Sequence, residues 1–135
     1  MIVKFHPVHA ALAFGLANAA VAALAQAPVY RQVWGGDFLQ GYVADGELIE
    51  IRGHGWSDGP DFFYKINIPS AMPPALVDLA GIDAAIQRRL QSECASKGQF
   101  GAGCQVVIRG KAGPRSRPNV VRSLIASDIQ FMPER

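Results

Sequence analysis

Cysteine is scarce in this chain. Its 135 residues hold two, Cys94 and Cys104. Their spacing is not C-x-x-C, so thioredoxin-like redox chemistry is not expected. No histidine lies near them, and two thiolates alone do not fill a tetrahedral metal site. What remains is a bond to each other, the usual outcome for paired cysteines in an oxidising compartment. Such a link closes a short loop and adds roughly 2–3 kcal/mol in the chain-entropy view. Histidine is scarce as well. His6 and His9 stand near the N-terminus, leaving His54 alone in the body of the chain. No Ser-His-Asp or Cys-His constellation can be assembled from it, and no cofactor is expected from the residues.

A long apolar run is also missing. Residues 10–25 are apolar apart from Asn18, but a bilayer span needs about 20 such residues. With Lys4 giving a positive start and Ala23-Leu24-Ala25 matching an A-x-A cleavage site, residues 1–25 read as an export signal rather than a membrane anchor. Cleavage there leaves Gln26 first; Ala25-Gln26-Ala27 is the alternative site. No cysteine follows the run, so no lipid anchor is expected at that place. The expected organisation is a signal over residues 1–25 and one domain over residues 26–135, periplasmic or secreted, with no membrane span after cleavage.

Net charge is small: 13 Lys and Arg against 11 Asp and Glu. The signal carries only Lys4 of these, so the remainder is nearly neutral. A neutral domain is not steered as a whole toward nucleic acid or anionic membrane, and any electrostatic argument is local. No repeat or low-complexity segment follows the signal.

What is present is alternation. Residues 33–43 (VWGGDFLQGYV) carry aromatics and valines broken by glycines, and predict a long bent strand. Ala44-Asp45-Gly46 predicts a tight turn. In residues 47–52 (ELIEIR), Ile49 and Ile51 share one face. Residues 53–61 (GHGWSDGPD) predict a loop, with three glycines, a proline and two aspartates. Residues 62–68 (FFYKINI) alternate, with Phe62, Tyr64, Ile66 and Ile68 on one side, until Pro69 stops them. Residues 75–95 predict a helix whose stripe runs Leu79, Ile82, Ile86, Leu90, Cys94. Gly81 weakens its first turn, so its firm part begins near Asp83, a carboxylate suited to a helix start. Residues 104–110 alternate again with Val106 and Ile108 inward. Residues 111–119 form a loop, and residues 120–131 a last strand.

Three strands, a helix and two strands make the OB-fold order. The expected fold is a five-stranded OB-fold-like barrel of the all-β or α+β class, with one helix between strands three and four. An open α+β sandwich is the rival. In such barrels ligands lie on the face of strands two and three, flanked by the loops after strands one and four. Between Arg109 and Arg122 stand five basic residues and no acid. Arg109, Lys111, Arg115 and Arg117 there predict a grip on phosphate or sulfate, and Trp56, Phe63 and Lys65 add stacking surface and charge. A solvated hairpin tip is the other reading of this charge run. His54, Asp58 and Asp61 share the glycine-rich segment; as metal ligands they would make a mixed N/O site, but loop aspartates ordinarily make turns. No metal is expected there.

Two segments resemble the secreted nucleases of the staphylococcal type. Val43–Gly53 (VADGELIEIRG) is similar to that family's V-x-D-G-D-T-L-x-I-x-G strand pair, and Asp78–Ile86 (DLAGIDAAI) to its R-L-x-G-I-D-x-P-E signature. The resemblance implies a calcium-assisted phosphodiesterase. It places Glu47 and Asp83 at metal-binding positions, and Arg122 (in VVRSLIA) at the second catalytic arginine. It also puts Asp78 at the first catalytic arginine and Ile86 at the general base. Those two departures remove a phosphate clamp and the proton acceptor, so the resemblance implies kinship without that chemistry. The sequence therefore predicts a small exported protein, non-catalytic, binding an unidentified ligand or partner, with anions such as nucleic acid or polysaccharide among the candidates. A divergent metal-dependent nuclease and a structural envelope protein are the alternatives. Oligomeric state is left open.

Overall fold

Ile49 and Ile51 are fully buried, as their alternation predicts, and the strand that carries them is the longest among the described residues. The computed structural model describes residues 27–66, 73–95 and 103–133. The signal over residues 1–25 and its cleavage sites lie outside the described residues, as do Asn67, Ile68 and Pro69.

A short strand, β1 (Arg31–Gln32), lies parallel to β2 (Leu48–Asp58). Between them runs a single-turn helix, α1 (Gly35–Leu39). The first part of β2 pairs with β5 (Cys104–Gly113), and its last part pairs with β3 (Asp61–Lys65). Strand β3 pairs antiparallel with β4 (Ala75–Asp78), which lies parallel to β6 (Ser123–Phe131). Strand β6 returns antiparallel to β5 and closes a five-stranded barrel in the order β2-β3-β4-β6-β5. Helix α2 (Ala84–Glu93) stands between β4 and β5 in the chain. This is the OB-fold arrangement, mostly β, with β1 and α1 added.

The barrel strands are not all the predicted ones. Residues 33–43 do not form a strand. Their glycines and aromatics build α1 instead, which buries Phe38 and Leu39 and sets Phe38 edge-on to Tyr64, 6.4 Å between centroids. The bent first strand is β2, and it runs through the segment predicted as a loop. The reason lies in Gly53 and Gly55. A Cβ on Gly55 would stand 2.2 Å from the Phe62 ring, and one on Gly53 would stand 2.5 Å from the Lys65 carbonyl. These glycines admit rings from the neighbouring strand rather than marking a turn.

Residues 75–78 are likewise a strand and not the start of a helix. Val77 is β-branched and buried, and Leu76 pairs with Phe63 on one side and Ser123 on the other. Asp78 then ends the strand by accepting the Ala80 N–H at 2.9 Å. The helix begins where its carboxylate cap was expected: Asp83 accepts from Ala85 N at 2.7 Å. The apolar stripe is real, with Ile82, Leu90 and Cys94 buried. Leu79 and Ile82 belong to the turn before the helix, where Gln87 Nε2 donates to both their carbonyls.

Cys94 and Cys104 are bonded, with Cα atoms 5.1 Å apart. The bond joins the C-cap of α2 to the first residue of β5. Ser57 near the end of β2 secures the same corner. Its N–H donates to the Cys94 carbonyl at 2.9 Å, and its hydroxyl to the Leu90 carbonyl at 2.9 Å. Carbonyls at the helix end thus find donors on the barrel.

Candidate ligand-binding site

Alternation sends every second barrel side chain outward. On β3, β4 and β6 this turns Phe63, Leu76, Asp78, Ser123 and Ile125 outward, of which Asp78 and Ile125 are exposed and the others half-buried, while Phe62, Tyr64, Val77 and Leu124 fill the interior. A groove of about 480 Å³ lies over this outer face. One bank is the β2–β3 turn at Pro60 and Asp61; the other is the β5–β6 loop at Pro114 and Ser116. These are the loops after the first and fourth barrel strands.

The floor is unusual in two respects. Ile125 is left 42% exposed. Beside it the Ser123 hydroxyl is buried and has no hydrogen-bond partner among the described residues, a condition that costs free energy. At the rim Arg117 reaches across from the β5–β6 loop to Asp61, Nη2 to Oδ2 2.9 Å. The same guanidinium lies 5.3 Å from the Phe63 ring centroid. Phe63 in turn stacks with Trp56 at 5.5 Å. Arg115 donates to the carbonyls of Arg117 and Pro118, which shapes the loop and leaves the side chain exposed.

The expected binding residues therefore divide. Phe63 and Arg117 stand at the rim of the groove, while Arg115 lines a separate depression with Val43, Asp45 and Arg122. Trp56 is 4% exposed and offers no face to an incoming ring. Lys65 is buried, with its ammonium 5.9 Å from the Trp56 centroid, and burial holds its pKa below the ordinary lysine value. Arg109 is ion-paired with Glu50 at 2.9 Å. Lys111 is exposed on β5, opposite Leu48.

The positions implied by the nuclease resemblance are occupied by structural bonds. Glu47 pairs with Arg31, Asp83 caps α2, and Arg122 is buried against backbone carbonyls. His54, Asp58 and Asp61 lie along the β2–β3 hairpin, with Asp58 opposite Asp61. Among the described residues, no group of three or more His, Cys, Asp or Glu stands together; Glu47 and Asp83, where the resemblance implies calcium, are taken up by Arg31 and by the helix cap.

No protein-family model matches the sequence, and no curated protein matches it. Solved structures are similar to it over part of their chain trace. One is asparaginyl-tRNA synthetase from Pyrococcus horikoshii complexed with asparaginyl-adenylate, 12% identical, at TM-score 0.49 over 77% of this chain and 23% of the synthetase. Another is a Leishmania major Friedlin protein described as an aspartyl-tRNA synthetase, 13% identical, at TM-score 0.47 over 87% of this chain and 26% of the other. The protein thus spans about a quarter of each, and the likeness is one of fold alone. The resemblance to staphylococcal-type nucleases finds no support among these.

The groove floor escaped the sequence reading. Leu76 lies in a stretch whose composition suits a helix, which hides its place on the sheet. Ile125 did leave a signal: in SLIASDIQF it is an isoleucine on the face opposite Leu124 and Ala126. An apolar residue on the outward side of an alternating strand marks a surface that something covers.

Proposed function

We propose that this is an exported, non-catalytic OB-fold protein that binds an amphipathic anion in the groove over β4 and β6. The carrying observation is the floor, where exposed Ile125 adjoins the unpartnered Ser123 hydroxyl. An apolar ligand body would cover Ile125 and Leu76 and so remove apolar surface from water. A polar atom on that body would satisfy Ser123. An anionic end would draw Arg117 from Asp61, with Arg115 beside it on the same loop. The disulfide supports a site of action in an oxidising compartment, in keeping with the signal read from residues 1–25. The structural bonds of Glu47, Asp83 and Arg122 support the non-catalytic reading.

The test is titration with anilinonaphthalene sulfonate, an apolar anion, by fluorescence. Binding should weaken by about tenfold or more in Ile125→Glu, which removes an apolar contact and adds a like charge, with the melting temperature unchanged. The Arg115→Ala, Arg117→Ala double variant should lose salt sensitivity. Dye binding indifferent to both changes would sink the reading. Displacement of the dye by a sulfated polysaccharide or an oligonucleotide would extend the ligand class to polyanions. Calcium-dependent cleavage of DNA or RNA would favour the nuclease alternative instead.

A further inference from the structure

A second groove, of about 330 Å³, lies beside β1 and shares no lining residue with the first. Its volume falls at the small end of the roughly 300–1,000 Å³ typical of ligand sites. Trp34 forms its wall and is 61% exposed. The indole is nonetheless held in place. Its benzo ring lies on Gly36, where a Cβ would stand 2.5 Å from Cη2. Any residue but glycine there would lift the ring away.

Polar side chains of planar shape complete the groove. Gln32 on β1 is the register partner of Glu50 on β2, and Gln32 Nε2 donates to Glu50 Oε2 at 2.8 Å. Arg109 Nε donates to Glu50 Oε1 at 2.9 Å. Glu50 is thus fixed from both sides, and Gln32 keeps its amide oxygen as an acceptor. Arg52 follows two positions along β2, on the same outward face, and also lines the groove. Its side chain is exposed, and its charge helps to hold the Glu50 carboxyl in its ionised form.

We infer that Trp34 and Arg52 form a binding site for an acidic sugar, a pyranose ring bearing a carboxylate. The C–H face of the ring lies on the indole, which a flat aromatic surface held by backbone favours. Ring hydroxyls donate to Gln32 Oε1 and to the remaining lone pairs of Glu50. The carboxylate takes the fork of Arg52. An aromatic acid would also suit Trp34 and Arg52, but it would leave Gln32 and Glu50 facing a ligand with nothing to donate.

The chain holds two tryptophans. Trp56 is buried, so acrylamide quenching reports on Trp34. A galacturonic acid trimer should protect Trp34 from the quencher, and a neutral galactose trimer should do so about tenfold more weakly, the scale of one charge-assisted pair. Arg52→Gln should erase that difference. Arg52 is exposed, so this variant should melt as the parent does. Trp34→Ala, followed by calorimetry, should lose both sugars; if it does not fold, Arg52→Gln decides alone. Equal protection by the two trimers, protection by neither, or undiminished binding of the acid trimer to Arg52→Gln overturns the inference. The dye titration at Ile125 reports on the other groove, so either result can fail without the other.

Discussion

Arg122 holds Phe38 by two different bonds. Its Nη1 donates to the Phe38 carbonyl at 3.1 Å, and its guanidinium carbon lies 4.6 Å from the centre of the Phe38 ring. The same side chain donates to the carbonyls of Gly113 and Val43 and to Asp45. One residue before β6 thereby fixes the whole segment that leads from α1 into β2. Arg122 is 5% exposed, so its loss would leave several acceptors without donors. Arg122→Met should lower stability by about 2–4 kcal/mol, read from the denaturant midpoint. Arg122→Lys should recover only a part, since an ammonium cannot reproduce the fork.

Gly55 and Phe62 define a second tight contact. A side chain on Gly55 would meet the Phe62 ring in the core. Gly55→Ala should cost about 1–3 kcal/mol through overpacking. Adding Phe62→Leu should return some of that loss, and a double-mutant cycle would show the coupling. Strict additivity of the two changes would mean that the ring does not dictate the glycine.

Glu50 links stability to pH. The Arg109 hydrogen bond, then the Gln32 hydrogen bond, hold its carboxyl below the usual carboxylate range. A folded pKa lower than the unfolded one gives stability that is present above the unfolded value and is lost as pH falls through the folded value. Denaturation across acidic pH should show that decline in the parent protein, and Glu50→Gln should show a shallower one. An identical slope in both would place the acid sensitivity elsewhere.

The disulfide closes the corner where α2 meets β2 and β5. Cys94→Ser with Cys104→Ser should lower stability by roughly 2–3 kcal/mol. The Ser57 bonds to the helix end should keep α2 docked, so far-ultraviolet circular dichroism should change little below the new midpoint.

Much of the core was legible in the sequence because alternation is a local property. Ile49 and Ile51, Phe62 and Tyr64, and Val106 and Ile108 all point inward as their spacing predicts. The boundary near Asp83 was legible because a cap acts over a few residues; the end of β5 was not, since the strand runs on to Gly113 through pairing with β6. The misread segments are those whose local composition points one way and whose partners point another. Gly53 to Asp58 has the makeup of a loop, yet His54 to Asp58 pair with β3, and Gly53 to Gly55 pair with β5. Ala75 to Asp78 suits a helix, yet fills the gap between β3 and β6.

The candidate sites divide along the same line. Arg115 and Arg117 could be found as a basic loop, but not that Arg117 would bridge to Asp61 across a groove. Trp56 looked available for stacking until burial by the fold removed it.

By itself the amino-acid order determined the inward faces, the start of α2 and the cysteine pair, because each depends on residues close together in the chain. Only the closed barrel decided which segments would be those strands, and which outward side chains would meet. Leu76 and Ser123, or Gln32 and Glu50, become neighbours through strand pairing between distant segments, and no short-range pattern carries that information.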